Sequence, residues 1–311
     1  MEDTSDGFQV VRHKRRKKKA PATDFVKSKP SLNNVSDTYD TVVSIEIFKR
    51  RIRDYELEIE NSEFFEHFKT CWYSVIQHLA VIKDVISDRS NLLSSSSIEI
   101  STPTNMNSND NCQHDVYDIV CYGLGNFTLC PIARYQFAFL HLMTKFLQIP
   151  GQCFVYDPKF TEEEKIILKD LDFHVIDKNE ECKRPINRST VFHMPHCGKP
   201  MYNNLLWSNW SYNALQYLIL IGNSFNSLKL RFPSRILQNE VPYIHRILPY
   251  TQEIEIDNNF QHSDIFNDTS LHYFPADKIS KIVATEFWQE CNEPLYKSCD
   301  SLEITQAKFN V

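Results

Sequence analysis

From Phe64 to Ile86 the apolar residues return at steps of three and four, through Phe68, Trp72, Val75, Ile76, Leu79 and Ile82. That spacing lays one apolar stripe along a helix, and such a stripe reads as a core-facing surface rather than a ligand box. Before it, Val42, Val43, Ile45, Ile47 and Phe48 are mixed with many charges over residues 41–60, which predicts another helix. Beyond it the chain turns rich in Ser and Asn, with four consecutive serines from Ser94 to Ser97, and reads as a loop.

From residue 115 the pattern alternates between short apolar runs and amphipathic stretches. Strands are expected at Tyr117–Tyr122, Gln152–Tyr156, His174–Ile176, Thr190–Met194 and Tyr217–Ile221, with a further one at Ile254–Ile256. Helices are expected at 132–147, started by Pro131, and at 161–170. Thr161-Glu162-Glu163-Glu164 spells a capping box, Thr161 at the N-cap and Glu164 reaching back. Residues 205–215 read as helix and turn, and 275–288 as one helix with Ile279, Ile282, Val283 and Phe287 inward. Apolar strands alternating with helices predict an α/β fold: a doubly wound, mostly parallel, Rossmann-like sheet covered on both faces. The expected organisation is a disordered basic tail (1–40), a helical segment packing on the core (41–88), a Ser/Asn-rich linker (89–114), the α/β domain (115–290) and a C-terminal tail (291–311).

Composition narrows this picture. The 311 residues include only six glycines, about 2% against an average near 7%, so a glycine marks a backbone position that needs one. Nine cysteines without a C-x-x-C pair offer neither a disulfide framework nor a zinc knuckle and suggest a reducing compartment. No apolar run approaches the ~18 residues of a membrane span, and the N-terminal residues lack the apolar core of a secretory signal. The net charge is −6, yet Arg12 to Lys19 carries seven positive charges in eight residues. From residue 20 onward 27 basic residues face 37 acidic ones, which argues against a nucleic-acid surface on the folded body. The basic run itself fits a nuclear-import signal, a polyanion contact or a solvated tail.

In an open parallel sheet, ligands bind beyond the carboxyl ends of the strands. Four of the six glycines fall there, in Gly123-Leu124-Gly125-Asn126, in Pro195-His196-Cys197-Gly198 and in Gly222-Asn223-Ser224. The candidate ligand-binding residues are Gly123, Gly125, Asn126, Asp157, His196, Gly222, Asn223, Ser224 and Asp268. Gly123-x-Gly125 resembles a dinucleotide fingerprint, but Thr128 stands at the third glycine, and Asp157 follows Gly125 by 32 residues where about 20 are expected. The alternative is a tight strand-to-helix turn, with Asp157 making an Asx turn before Pro158. No phosphate-binding G-x-x-x-x-G-K-[ST] motif is present. His193, His196 and Cys197 could ligate a metal, though no fourth ligand declares itself. A Cys197 nucleophile beside His196 is opposed by their adjacency on extended chain. Cys130-Pro131 has the form of a haem-thiolate dipeptide or of a plain helix start. No metal site is assigned, and no complete catalytic constellation is found.

The segment 116–225 resembles the SRR family, named for sensitivity to red light reduced. The resemblance rests on Tyr122-Gly123-Leu124-Gly125-Asn126, Ala133-Arg134-x-Gln136, Tyr156-Asp157-Pro158 and Met194-Pro195-His196-Cys197. It continues through Tyr202-Asn203-Asn204-Leu205-Leu206-Trp207, Asn209-Trp210, Ile221-Gly222-Asn223-Ser224-Phe225 and Phe266-Asn267-Asp268-Thr269-Ser270-Leu271-His272. Asp6-Gly7-Phe8-Gln9-Val10-Val11 before the basic run is similar to family N-termini. The resemblance implies a regulator in circadian-clock input, with control of haem biosynthesis in animal relatives, located in cytoplasm and nucleus. It carries over no catalytic residue. Protein partners are expected, a small-molecule ligand is an option, no membrane is involved, and nucleic acid is limited to the basic tail. The competing reading is a cofactor-dependent enzyme or a nucleotide- or S-adenosylmethionine-binding protein, with NAD as another candidate cofactor. A haem or metal sensor is the third. The residues leave the cofactor itself unknown.

Overall fold

The computed structural model describes residues 34–94, 116–282, 285–289, 292–296 and 304, with side chains in the first segment described from 45 to 79. Residues 1–42 and 43–311 form separate units, and the sheet with the cores it feeds belongs to the second. The basic run, the residues from 95 to 115 and most of the C-terminal tail lie outside the described residues.

Seven strands make one mixed sheet: β1 (Asp118–Tyr122), β2 (Cys153–Tyr156), β3 (Phe173–Val175), β4 (Thr190–Met194), β5 (Leu218–Asn223), β6 (Gln252–Glu255) and β7 (Thr269–Tyr273). Their order is β3-β2-β1-β4-β5-β7-β6. The first five are parallel to one another, with Val120 beside Phe154 and Phe192 in register. β7 runs antiparallel to both β5 and β6.

Side chains alternate along each strand, so every central strand feeds two cores. Ile119, Cys121, Val191, Ile219 and Ile221 join one cluster. Val120, Tyr122, Phe192, Met194 and Leu220 join the other. The first cluster is closed by α1 (Asn34–Glu60), α2 (Glu63–Ser94), α3 (Pro131–Leu147) and α4 (Glu162–Asp170). The second is closed by α5 (Lys199–Ser208), α6 (Tyr212–Leu215), α7 (Phe225–Arg231), α8 (Ser234–Glu240), α9 (Pro242–Ile247) and α10 (Ala276–Ile279). A short α11 (Thr285–Gln289) packs Phe287 against Trp210.

The apolar stripe of α2 packs through rings on α3 and on the loop before β7: Phe64 stacks on Phe266 at 4.0 Å between centroids, and Phe68 meets Phe139 of α3 edge-on at 5.1 Å. α1 is tied to α3 by polar contacts, Glu56 to His141 at 2.5 Å and to Lys145 at 2.7 Å, and the Tyr135 hydroxyl donates to Glu58 at 2.6 Å. Burial opposes ionisation of Glu56, but the His141 and Lys145 hydrogen bonds outweigh it and hold the carboxyl below its ordinary range. α4 opens with the capping box in place, the Thr161 hydroxyl accepting from Glu164 N and Glu164 accepting from Thr161 N.

Several expectations need correction. The helix expected over 41–60 begins at Asn34, so residues 34–40 are helical, and α2 runs on to Ser94 rather than stopping at 88. Val85, Ile86, Leu92 and Leu93 continue the helical spacing past the first serines; the serine cluster beyond Ser94 is outside the described residues. The single helix expected over 275–288 is two short pieces, α10 and α11. β7 was legible only as a motif, and the antiparallel pairs it makes qualify the parallel sheet.

Candidate functional site

The candidate residues gather at the carboxyl edge of the parallel strands in two linked groups. The first is built on the turn after β1. Gly123 and Gly125 both have positive φ, +71° and +79°, which only glycine adopts freely. A Cβ on Gly123 would lie 2.5 Å from Cys197 Sγ, and one on Gly125 would lie 3.3 Å from Ala133 Cβ. The missing Cβ atoms are therefore used by the protein's own packing. Asp157, at the end of β2, accepts from Gly125 N at 2.7 Å and from Lys159 N at 2.8 Å. This is the Asx turn of the sequence reading, and the carboxylate also staples the β1 turn to β2. Asn126 Oδ1 accepts from Leu129 N at 2.9 Å and from the Thr128 hydroxyl at 3.1 Å. Glu164, fully buried, accepts from Thr128 N at 2.8 Å and so links the loop to the start of α4.

His196 follows β4 with φ +54°, an uncommon conformation for a histidine. Its ring is exposed on one side, and Nε2 sits 3.0 Å from the Ile265 carbonyl, which also accepts from Gln136 Nε2. His193, three residues earlier, is buried beside Phe139, and neither ring nitrogen has a hydrogen-bond partner. Burial, helped by His196, pushes its pKa down to about 3, so the ring is neutral. His193 lies on the α3 side of the sheet, whereas Cys197 packs in the opposite cluster with Sγ 3.4 Å from the Tyr122 carbonyl. The three residues thus do not converge on a metal, and among the described residues no group of three or more His, Cys, Asp or Glu could hold one. Cys197 and His196 do not form a nucleophile–base pair either, because the imidazole is turned to Ile265. Cys130 is exposed as the N-cap of α3 with Pro131 at its first position, which is the helix-start alternative.

The second group surrounds the end of β5. A Cβ on Gly222 would lie 2.7 Å from the Tyr202 hydroxyl oxygen. That hydroxyl donates to the Met194 carbonyl at 2.6 Å and accepts from Asn223 N at 3.0 Å. Asn223 Nδ2 donates to the Cys197 carbonyl at 3.1 Å, joining the two groups. Ser224 caps α7, accepting from Ser227 N at 2.9 Å and donating to Glu253 at 2.5 Å. Asp268, with φ +57°, gives its carbonyl to Ser224 N and pairs with Arg231 at 3.1 Å. His272, wholly buried, accepts from Phe225 N at 3.3 Å and lies 3.6 Å from Glu253. Burial holds its pKa below the ordinary value against the pull of the Glu253 carboxylate.

Four organisers of this edge escaped the sequence reading as site residues: Tyr202, Glu164, Glu253 and His272. Glu164 carried a signal in its capping box. Glu253 carried none, since its partner Ser224 is 29 positions away.

Comparison with known proteins bears on the same region. The SRR1 domain matches residues 89–273, more than half of the chain. The chain belongs to the SRR1 family. It is 51% identical over 130 residues to the SRR1-like protein of Mus musculus, covering 41% of this chain and 52% of the mouse protein. It is 32% identical over 193 residues to the SRR1-like protein of Drosophila melanogaster, covering 62% of this chain and 67% of the fly protein. It is 30% identical over 164 residues to the Arabidopsis thaliana protein SENSITIVITY TO RED LIGHT REDUCED 1, covering 51% of this chain and 58% of the plant protein. The chain thus spans between half and two thirds of the length of these relatives. All nine candidate residues fall inside the SRR1 match. α1 and most of α2 fall outside it, although they complete the core on which its sheet rests. Among the described residues no helix is long and apolar enough to cross a membrane.

Proposed function

We propose that this SRR1 protein is a regulator in light or circadian-clock input that works through protein contacts rather than catalysis. The Arabidopsis relative's name, which records reduced sensitivity to red light, carries this reading. The polar groups at the carboxyl edge support it, because each is engaged in holding loops in place, as a rigid recognition surface requires. The test is the period and phase response of a rhythmic reporter in cells from which the chain has been removed. An unchanged rhythm overturns the reading. Control of haem biosynthesis belongs to the same proposal and is checked by the haem content of those cells. Residence in cytoplasm and nucleus, with Arg12 to Lys19 as import signal, is checked by replacing Lys14 to Lys19 with Ala. An unchanged nuclear fraction removes that part.

The strand order favours a second reading. In a Rossmann-like, doubly wound sheet ordered β3-β2-β1-β4-β5, winding reverses between β1 and β4, and ligands enter the crevice at that point. Here that point is the carboxyl ends of β1 and β4, after which Gly123, Gly125 and His196 follow. A bound pyrophosphate needs open backbone N–H groups and a helix N-terminus. The N–H groups of Gly123, Gly125, Thr128, Leu129 and Cys130 are all in hydrogen bonds, two of them to carboxylates, and α3 begins with a proline. A phosphate-free nucleoside such as S-adenosylmethionine therefore suits the turn better than NAD. Calorimetric titration of the purified chain with each compound decides it. Binding of NAD alone overturns the preference, and binding of neither removes the second reading.

A further inference from the structure

The largest cavity described, about 700 Å³, lies away from the glycine turn, between α7, α8 and α9. Its size is that of a ligand or side-chain-binding cleft. Three features of its lining set it apart. It carries Lys229, Arg231 and His245 and no Asp or Glu, on a body whose residues from 20 onward hold ten more acids than bases. The same lining is apolar between the cations, with Phe232 and Leu248 forming part of the wall. At its margin Leu230 is 88% exposed, the most exposed large apolar side chain among the described residues.

The groups around the cleft are held in place rather than loose. The Ser234 hydroxyl and His245 Nε2 are 2.8 Å apart across α8 and α9, which fixes the imidazole at the wall. Lys199 lies 4.1 Å above the Phe232 ring and is paired with Glu240 at 2.5 Å. Arg231 contacts Asp268 at 3.1 Å, yet its side chain stays 62% exposed. Asp268 belongs to the loop that holds Ser224 at the end of β5, so the cleft is joined mechanically to the carboxyl-edge network.

Leu230 stands in solvent between two cations and beside the apolar wall of the cleft, so the exposed apolar surface is continuous with it. Large exposed apolar groups rimmed by charge mark association surfaces. We propose that this cleft docks an acidic peptide segment of a partner protein, with an apolar side chain as anchor. Leu230, Phe232 and Leu248 receive the anchor, and Lys229 and Arg231 pair with the flanking carboxylates. Charge complementarity selects this occupant: a basic segment meets two cations, whereas Asp268 reaches only Arg231 and a neutral segment leaves Lys229 without a counter-charge. The inference rests on the regulatory reading and names the chemistry of the contact that reading needs.

The test is selection from a random-peptide display library on the full chain, with the Lys229→Glu, Arg231→Glu double variant as counter-target. All the changed side chains are at the surface, so folding is preserved, and a circular-dichroism melt verifies this. The expected result is enrichment of peptides combining Asp or Glu with Leu or Phe. Fluorescence anisotropy should show such a peptide losing at least about tenfold in affinity on the double variant and on Leu230→Asp. Lys165→Glu, on the exposed side of α4, should leave affinity unchanged. Enrichment of basic or neutral peptides, equal enrichment on the double variant, or no enrichment overturns the proposal. So does binding of anionic lipid vesicles that the double variant abolishes while no peptide is selected. A rhythm defect in cells lacking the chain, together with any of these results, leaves the regulatory reading standing and removes the cleft from it.

Discussion

The two faces of the sheet are closed by different means. One is covered mainly by long helices, α1 to α3, with the shorter α4, and its core is rich in rings: Phe64, Phe68, Phe127, Phe137 and Phe139 are all fully buried. The other is covered by six helices of ten residues or fewer. Short helices leave a large share of their N–H and C=O groups without an intrahelical partner. Buried asparagines satisfy some helix ends, Asn203 at the start of α9 and Asn209 Nδ2 on the Leu205 carbonyl of α5, and tie the 181–186 loop to α5. Asn203 Oδ1 accepts from Tyr243 N at 2.9 Å, Asn204 donates to the Glu181 carbonyl at 2.9 Å, and Asn209 accepts from Ile186 N at 2.9 Å. Both faces bury apolar area, and the second relies more heavily on buried asparagines to satisfy polar groups among its short helices. Function follows the same division, since the proposed docking cleft lies among the short helices of the second face, where connections are numerous and side chains reach solvent.

The contrast between the faces is most severely tested at Phe68. Phe68→Ala should cost about 3–5 kcal/mol, measured as a shift of the urea midpoint, within one cooperative transition. Two separate transitions would mean that α2 does not share a core with the sheet, and the ring-packed face would dissolve as a concept. On the second face, Asn203→Leu keeps apolar volume but strips Tyr243 N of its acceptor, and about 2–3 kcal/mol should be lost. A loss no larger than at an exposed site would show that the asparagines only decorate that face.

At the edge where the faces meet, Gly123→Ala should cost about 1–2 kcal/mol, because an alanine is strained at φ +71° and its Cβ meets Cys197 Sγ. The same change in a Cys197→Ala background should cost less, and the difference measures the contact itself. Equal costs would assign the whole effect to the backbone.

The smallest effect has the opposite sign. His193 is a polar intruder in the ring-packed face, and His193→Phe should stabilise the protein by about 1 kcal/mol at neutral pH. Its folded pKa of about 3 lies below the ordinary 6.5, so the unfolded chain takes up the proton first. Its titration costs the fold nothing above pH 6.5, and the protein loses stability as the pH falls from 6.5 toward 3. Melting curves across that range should show a shallower acid decline in His193→Phe than in the parent. An unchanged decline would place the acid sensitivity elsewhere, with Glu56 the next group to change.

Legibility divides along the same line. The helices of the ring-packed face could be read because their stripes are long: α2 shows its period over six turns, and α3 has Pro131 at the position a helix start tolerates best. The short helices of the second face were legible only in part, residues 205–215 as helix and turn over the end of α5 and α6, since four to ten residues give little periodicity to tell helix from turn. The single helix expected over 275–288 broke into α10 and α11 for that reason. At the candidate site, Gly123, Gly125 and Asp157 were identifiable as positions of need, but the need itself was ambiguous between a ligand and a turn. The partners of the three residues, Cys197, Ala133 and Lys159, show what the turn uses them for. Two of the three lie on other elements.

The amino-acid sequence by itself determined where six of the seven strands and the middles of the long helices lie, which backbone positions need glycine, and to which family the chain belongs. These are properties of local conformation and residue type, and they are written in adjacent or periodically spaced residues. Only the tertiary structure decided that β7 inserts antiparallel between β5 and β6, that Asp157 staples the β1 turn, that His193 and Cys197 face opposite sides of the sheet, and that Lys229, Leu230, Arg231 and His245 share one cleft. Those facts depend on contacts between residues tens of positions apart, and such contacts are chosen by packing and by the pairing of buried polar groups, neither of which leaves a mark at fixed spacing along the chain.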